Sequence, residues 1–160
     1  MDKHVSQSIV EQVYRLRPEH LNGGGRLFGG QLMAWIDEAA GLAAIRHAHA
    51  DVVTAAVEHL EFLRGAAQND LVVLIARLVW VGRSSMEVRV DSFVEHLDGT
   101  RELINRAYLT LVSIDAAGHS RPVPGLLPET EEERAEFEAA AARRARRRNR
   151  RDAQIGRAHV

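Results

Sequence analysis

The segment GQLMAWIDEAAGLAAIRHA, residues 30 to 48, constrains the fold more than any other. Its periodicity is helical, yet apolar residues point in nearly every direction around the axis, where a surface helix keeps a single stripe. Such a helix has to be covered on most sides. The segments after it are strand-like: DVVTAAVEHLEFL opens β-branched, DLVVLIARLVWV is densely apolar, and in SMEVRVDSFVE Met86, Val88, Val90 and Val94 alternate with Glu87, Arg89, Asp91 and Glu95. That alternation predicts a half-buried strand with one wet face. LDGT supplies an Asp-Gly hairpin turn, and RELINRAYLTLVSID returns from it. Ahead of the helix, SQSIVEQVYRL reads as a first strand ending before Pro18. Strands joined by short turns lie antiparallel, and sheet and helix must cover each other. The economical arrangement is α+β, one curved antiparallel sheet around a long central helix.

A chain of 160 residues, 46% of them hydrophobic, suits one domain with a tail. We expect the domain over residues 1–125, a charged helix over 126–151 and a disordered tail over 152–160. Thr130 and Glu133 make an S/T-x-x-E capping box, with acidic residues in the first turn and arginines toward the end, as a helix dipole prefers. The closing IGRAHV has no periodicity, resembles translated adapter sequence, and is set aside from fold reasoning. The absence of cysteine excludes disulfides, thiolate zinc and cysteine nucleophiles. The opening residues show no apolar leader, and no run approaches the roughly 18 consecutive apolar residues of a membrane span, so a cytoplasmic location is expected.

The formal net charge of -1 conceals an uneven distribution, because RRARRRNRR at 143–151 holds seven arginines. Such a run can meet the phosphates of nucleic acid or an anionic membrane surface. No aromatic residue interleaves to stack on bases, however, and the preceding glutamates can pair with the arginines along the helix. A solvated helix end is the favoured reading, and nucleic acid is not an expected partner.

The chemistry lies just before and within the central helix, in NGGGRLFGGQLMAWIDEAAG, residues 22–41. Glycines ahead of a helix let the backbone approach a ligand closely, and the helix N-terminus presents unpaired N–H groups and a partial positive charge. Gly29 and Gly30 are therefore the candidate donors to a developing oxyanion. Asp37 shares its helical face with Met33, Ala40, Gly41 and Ala44, which leaves room for a substrate chain or a partner helix. From the residues alone Asp37 fits either a catalytic carboxylate or a buried, hydrogen-bonded structural one. Asn22, preceding a glycine, reads by itself as a turn residue. No GxxxxGK[ST] or βαβ pattern supports a nucleotide-binding loop.

The ordered blocks Asn22, Gly25, Phe28, Gly29 and Gly30, then QLMAWIDEAAGLAA, VVTAAVEHLEFL, VGRSSMEVRV and AYLTLVSIDAAGHSRPVPGLLPETEEERAEFE, resemble the hotdog-fold acyl-CoA thioesterases. The resemblance covers roughly residues 6–140. It implies a helix wrapped by an antiparallel sheet, two subunits paired edge to edge, active sites at their interface, and a further trimer of dimers. It implies hydrolysis of acyl-CoA in fatty acid metabolism, with no cofactor or metal. Asp37 would be general base, or nucleophile through a mixed anhydride, and Asn22 of the partner subunit would assist. Arg83, Ser84 and Ser85 in VGRSSME would meet CoA phosphates, although the residues alone also fit an ordinary strand corner. Thr54 would lie near the acyl site.

The sequence also departs from the family. Phe62 is followed by LRGAAQND, with Arg64 where relatives often carry an apolar-proline segment. Glu38 adjoins Asp37, but neighbouring helix residues point about 100° apart, so one substrate cannot face both equally. His47, His49 and Asp51 at the helix end fit a solvated terminus better than a metal site, and His59 fits a packed or surface position. Dehydratases of this fold need a histidine in the glycine loop, which is absent. A catalytically silent acyl-CoA sensor on the same fold remains the alternative.

Overall fold

The computed structural model describes the backbone of residues 1–158 and the side-chain environments of residues 1–155. Short strand β1 (Lys3–His4) and strand β2 (Val10–Arg15) precede helix α1 (Gly29–Ala48). Strands β3 (Asp51–Phe62), β4 (Leu71–Val81), β5 (Ser85–Glu95) and β6 (Arg101–Ile114) come next, then β7 (Leu126–Leu127) and helix α2 (Glu131–Ala158). The main sheet has five antiparallel strands in the order β2-β4-β5-β6-β3, and β1 pairs β7 separately. A long helix held against an antiparallel sheet is the arrangement that both the periodicity and the resemblance lead one to expect.

Helix α1 meets the sheet through Leu32, Trp35, Ile36, Ala39, Ala40, Ala43 and Ala44, all buried. The four alanines bring its backbone close to the apolar faces of Val72, Leu74, Met86, Val88, Val90 and Leu109. Its other side is not covered. Met33 is 44% exposed, Leu42 39% and Ile45 42%, because the sheet of one chain closes over only one flank. Strand β3 is an edge of that sheet, and its Val53 and Val57 are exposed as well.

Two expectations need correction at the helix end and on β5. His47 is fully buried, its ring Nε2 lying 2.7 Å from the Pro124 carbonyl oxygen, while His49 takes a left-handed C-cap conformation. The terminus is thus half packed, not wholly solvated. Burial pushes the His47 imidazole below its ordinary range, so the folded protein holds it neutral. The unfolded chain takes up its proton first as pH falls, so stability is full above the ordinary histidine value of 6.5 and declines below it. His47→Gln, which keeps a donor for Pro124 without titrating, is expected to flatten the unfolding free energy below pH ~6.5, where one such group steepens it by up to about 1.4 kcal/mol per pH unit. Urea titrations across pH 5 to 8 would read the difference.

The polar face of β5 is not wet. Glu87, Arg89 and Asp91 are 2%, 4% and 3% exposed, because α2 lies across that face of the sheet. Its inward stripe of Glu133, Glu136, Phe137, Ala140, Arg143, Arg144 and Arg147 keeps helical spacing. Arg89 pairs with Asp91 at 3.1 Å and with Glu136 at 2.7 Å; Arg143 reaches Glu87 at 2.8 Å and stacks over Tyr108. Arg147 bonds Thr110 and sits between Glu58 and Glu87. Part of the arginine run is therefore a partly buried clamp on the sheet, where a solvated helix end was expected. Thr130 caps α2 by accepting the Glu133 N–H at 3.0 Å, and the Glu133 carboxylate accepts the Glu129 N–H. The helix continues through residues 152–158, expected to be disordered; residues 159 and 160 of that expected tail lie outside the described residues.

Candidate active site

Helix α1 begins with no side-chain cap, so its first N–H groups have no partner from a capping residue. Gln31 and Leu32 donate to the Phe28 carbonyl, while the Gly29 and Gly30 N–H groups find no acceptor among the described residues. Each glycine lies beside an aromatic ring. A Cβ on Gly30 would stand 2.6 Å from the Phe28 ring and one on Gly29 3.4 Å from the Phe62 ring. The Phe28 ring thus crowds any side chain at Gly30, whereas at Gly29 the ring stands at ordinary van der Waals distance.

Two turns further on, Asp37 projects from the uncovered flank of α1. Thr54 on β3 donates its hydroxyl to Asp37 Oδ1 at 2.6 Å, which fixes one carboxylate oxygen and leaves the other open. The pair stands in a cleft of about 380 Å³ lined by Gly30, Met33, Ala34, Ile36, Val57, Leu60 and Leu109. This is a polar pair in an apolar trough, within the usual size range of small-molecule sites. Met33 shares the cleft with Asp37 as the helical wheel requires. Ala40 and Ala44 do not, for they are fully buried against the sheet. Glu38 points elsewhere; its charge, after burial, helps push the Tyr14 phenol up, and Tyr14 stacks on Trp35 on the opposite flank.

Asn22 is not beside Asp37 in the same chain. It lines a neighbouring cleft of about 410 Å³ with Arg26, Gly29, Leu32, Phe62 and Leu63. Its Oδ1 accepts the Gly24 and Arg26 N–H groups at 2.9 and 3.2 Å, so the side chain braces its own loop. Gly25, with φ of 77°, makes the turn that this requires. The start of α1 therefore divides two clefts, Gly29 lining one and Gly30 the other.

The hairpin carrying Arg83, Ser84 and Ser85 stands apart from both. Ser85 pairs with Val112, which in turn pairs with Val53, next to Thr54, placing the hairpin two strands across the sheet, roughly 10 Å away. Within one chain its backbone is spoken for, since Ser84 and Arg83 carbonyls accept the Ser113 and Val123 N–H groups. The residues that sequence reasoning missed are the cleft walls Val57, Leu60 and Leu109. Their signal was hidden by irregularities in β3, where the pairing with β6 shifts register between Thr54 and Ala56 and again between Glu58 and Glu61. Among the described residues no group of three or more histidines and carboxylates is arranged around a metal position.

Comparison with known proteins settles the family. The chain is 42% identical over 145 residues to the uncharacterized acyl-CoA thioester hydrolase YkhA of Bacillus subtilis, covering 90% of this chain and 84% of that one. The chain belongs to the acyl-CoA thioester hydrolases of the hotdog fold. The thioesterase superfamily model matches residues 24–98 of this family member, the stretch from the glycine loop to the β5–β6 turn. An acyl-CoA hydrolase from Staphylococcus aureus, solved with butyryl coenzyme A, coenzyme A and coenzyme A disulfide, superposes with a TM-score of 0.90 at 34% identity, covering 98% and 96% of the two chains. Mutants of that hydrolase with one asparagine, one aspartate or one threonine replaced by alanine have also been solved. An acyl-CoA thioesterase solved as an apo hexamer gives a TM-score of 0.89 at 37% identity over 93% and 96% of the chains.

Proposed function

We propose that this hydrolase cleaves acyl-CoA thioesters to a free carboxylic acid and CoA, in active sites shared between two copies of the chain. The observation that carries the reading is the Asp37 carboxylate held by Thr54 at 2.6 Å in an apolar cleft whose rim includes the free N–H of Gly30. Asp37 takes a proton from water as its oxygen attacks the thioester carbonyl carbon. The resulting oxyanion is held by the Gly29 or Gly30 N–H at the positive end of α1. The carbon–sulfur bond then breaks, the thiolate leaves with the proton, and the acid and CoA separate. No cofactor takes part.

The second copy enters because one chain leaves its site unfinished. Strand β3 offers 12 residues of unpaired edge flanked by exposed Met33, Val53 and Val57, a surface that invites pairing unless covered. A twofold pairing there brings Asn22 of the partner subunit toward Asp37, with its amide donors positioning the water or the carbonyl. The hexameric relative supports assembly of such dimers into a trimer of dimers. Arg83, Ser84 and Ser85 serve as contacts for CoA phosphates. The mutants of the Staphylococcus aureus hydrolase concern the same three residue types as Asn22, Asp37 and Thr54, which favours these assignments. A cytoplasmic location is part of the same proposal, and among the described residues no helix is long and apolar enough to cross a membrane.

Release of free CoA, followed with a thiol reagent over short to long acyl-CoAs, tests the function directly, and the lack of cysteine keeps the background low. Turnover is expected. Binding without turnover across the series would instead assign the sensor role. Thr54→Val keeps the shape and removes the donor to Asp37; with a charge-assisted hydrogen bond contributing about 1.5–3 kcal/mol, kcat is expected to fall roughly 10- to 100-fold at little change in KM. An unchanged kcat would remove Thr54 from the positioning of Asp37.

A further inference from the structure

Strand β3 does not keep its pleat. Side chains of an unbroken strand alternate between its faces, so a strand that turns Thr54 toward Asp37 would also turn Ala56, Glu58 and Leu60 there. The lining of the Asp37 cleft is instead Thr54, Val57 and Leu60. The pairing with β6 shows how this arises. Thr54 stands opposite Leu111 but Ala56 opposite Thr110, so Ala55 is one residue too many and the alternation reverses. Glu58 stands opposite Tyr108 and Glu61 opposite Arg106, so a second extra residue restores it. Between the two irregularities Val57 pairs Leu109, which lines the Asp37 cleft, whereas Ala56 and Glu58 pair Thr110 and Tyr108 beneath α2.

Contacts on the outer side hold the reversed stretch. The Glu58 carboxylate lies 3.4 Å from Arg147 and 3.9 Å from Arg150 on α2, and the His59 ring packs edge-on against Tyr108, its backbone at φ of 58°. At the second irregularity the buried Asn105 amide donates to the Glu61 carbonyl. The consequence for the cleft is specific. A regular pleat would put a methyl group and a second carboxylate beside the substrate, whereas the reversed one puts a valine there and leaves Asp37 the single charge among the lining residues. Valine is branched at Cβ with restricted rotamers, while Met33 on the helix wall is unbranched and adaptable. The floor, Ile36 and Leu109, is close-packed core. Width beside Asp37 is therefore set at Val57.

We propose that Val57, turned into the cleft by the reversed segment of β3, is a specificity-determining residue that makes this hydrolase select straight acyl groups over branched ones. The inference rests on the Asp37 cleft being the hydrolytic site, and binding of uncleavable probes separates the two.

S-butyl-CoA and S-isobutyl-CoA carry the same number of alkyl carbons on a thioether that cannot be hydrolysed, so titration calorimetry compares width without calling on catalysis. The native protein should bind the straight isomer roughly tenfold more tightly, the lower end of what one methylene's fit is worth in an apolar pocket. Val57→Ala should erase the difference, and Val57→Thr, which keeps the shape, should retain it. Val57 is 42% exposed in the chain, so the melting curves of both variants should match the native one. The register is read separately, because the chain has no cysteine of its own. S-butyl-CoA should slow thiol labelling of Val57→Cys and leave that of Glu58→Cys unchanged. Turnover of butyryl-CoA and isobutyryl-CoA should follow the same preference as binding. If the thioethers show the preference and neither thioester is cleaved, the hydrolytic reading fails and the role of Val57 stands. Isomers that bind alike in the native protein, a ratio unchanged in Val57→Ala, or shielding of Glu58→Cys as strong as that of Val57→Cys would overturn the proposal.

Discussion

Asp37→Ala is expected to lower acyl-CoA turnover by about 10²- to 10⁴-fold, the range for removing a positioned general base, with KM little changed. The fold should not notice. Asp37 is solvent-exposed, alanine is a better helix former, and the one side-chain bond lost among the described residues is that from Thr54, whose hydroxyl can turn to water. Melting temperature and oligomeric size therefore separate a catalytic loss from a structural one. A variant as active as the native protein would make Asp37 a surface carboxylate and move the chemistry elsewhere. A variant that fails to assemble would make it an interface residue first.

Arg143→Ala carries the largest expected effect on stability, a loss of about 3 kcal/mol, at the low end of the range for stripping one partner from a buried pair. The side chain removed is 11% exposed and bonds Glu87, whose side chain is 2% exposed, leaving Arg147 at 3.6 Å as the remaining cation beside Glu87. Burial pushes the Glu87 carboxyl up and the arginines oppose it, so loss of Arg143 raises it further. A carboxyl raised in the folded state favours the protonated fold, and its cost grows as pH rises from the ordinary value of 4.5 through the folded one. The deficit of the variant relative to native should accordingly shrink as pH is lowered toward 5. Glu87→Leu combined with Arg143→Leu removes both charges and should recover most of the loss. Chemical denaturation of the native protein and the two variants reads this; a pH-independent deficit of the same size in the double variant would assign the effect to lost packing on Tyr108 instead.

The helix and the strands of the main sheet were legible from periods of 3.6 and 2, and a carboxylate amid WIDEAAG stands out because its neighbours have no use for it. Periodicity identifies a face without saying what covers it. The polar side of β5 therefore read as wet when α2 packs on it, and the apolar flank of α1 read as buried when one chain leaves it open. The sheet-facing stripe from Phe137 through Ala140 to Arg147 was present in the sequence, but seven arginines masked its spacing. His47 looked like part of a solvated terminus because nothing nearby in sequence foretold Pro124 above it. Thr54 came only from family resemblance, since a lone threonine on a strand has no signal of its own. Asn22 and Asp37 line separate clefts of one chain, so the cooperation proposed for them requires two chains.

That cooperation between subunits is the central claim and the easiest to test. Asp37→Ala and Asn22→Ala proteins, each assayed alone, should release CoA far more slowly than the native hydrolase. Mixed by co-expression, a heterodimer has one site with both residues intact and one with neither, so random pairing should restore about a quarter of native turnover. Restoration of that order would place Asp37 and Asn22 in one site on different subunits. If the native protein turns over and the mixture stays as inactive as its parents, with mixed dimers demonstrably present, the shared site is wrong.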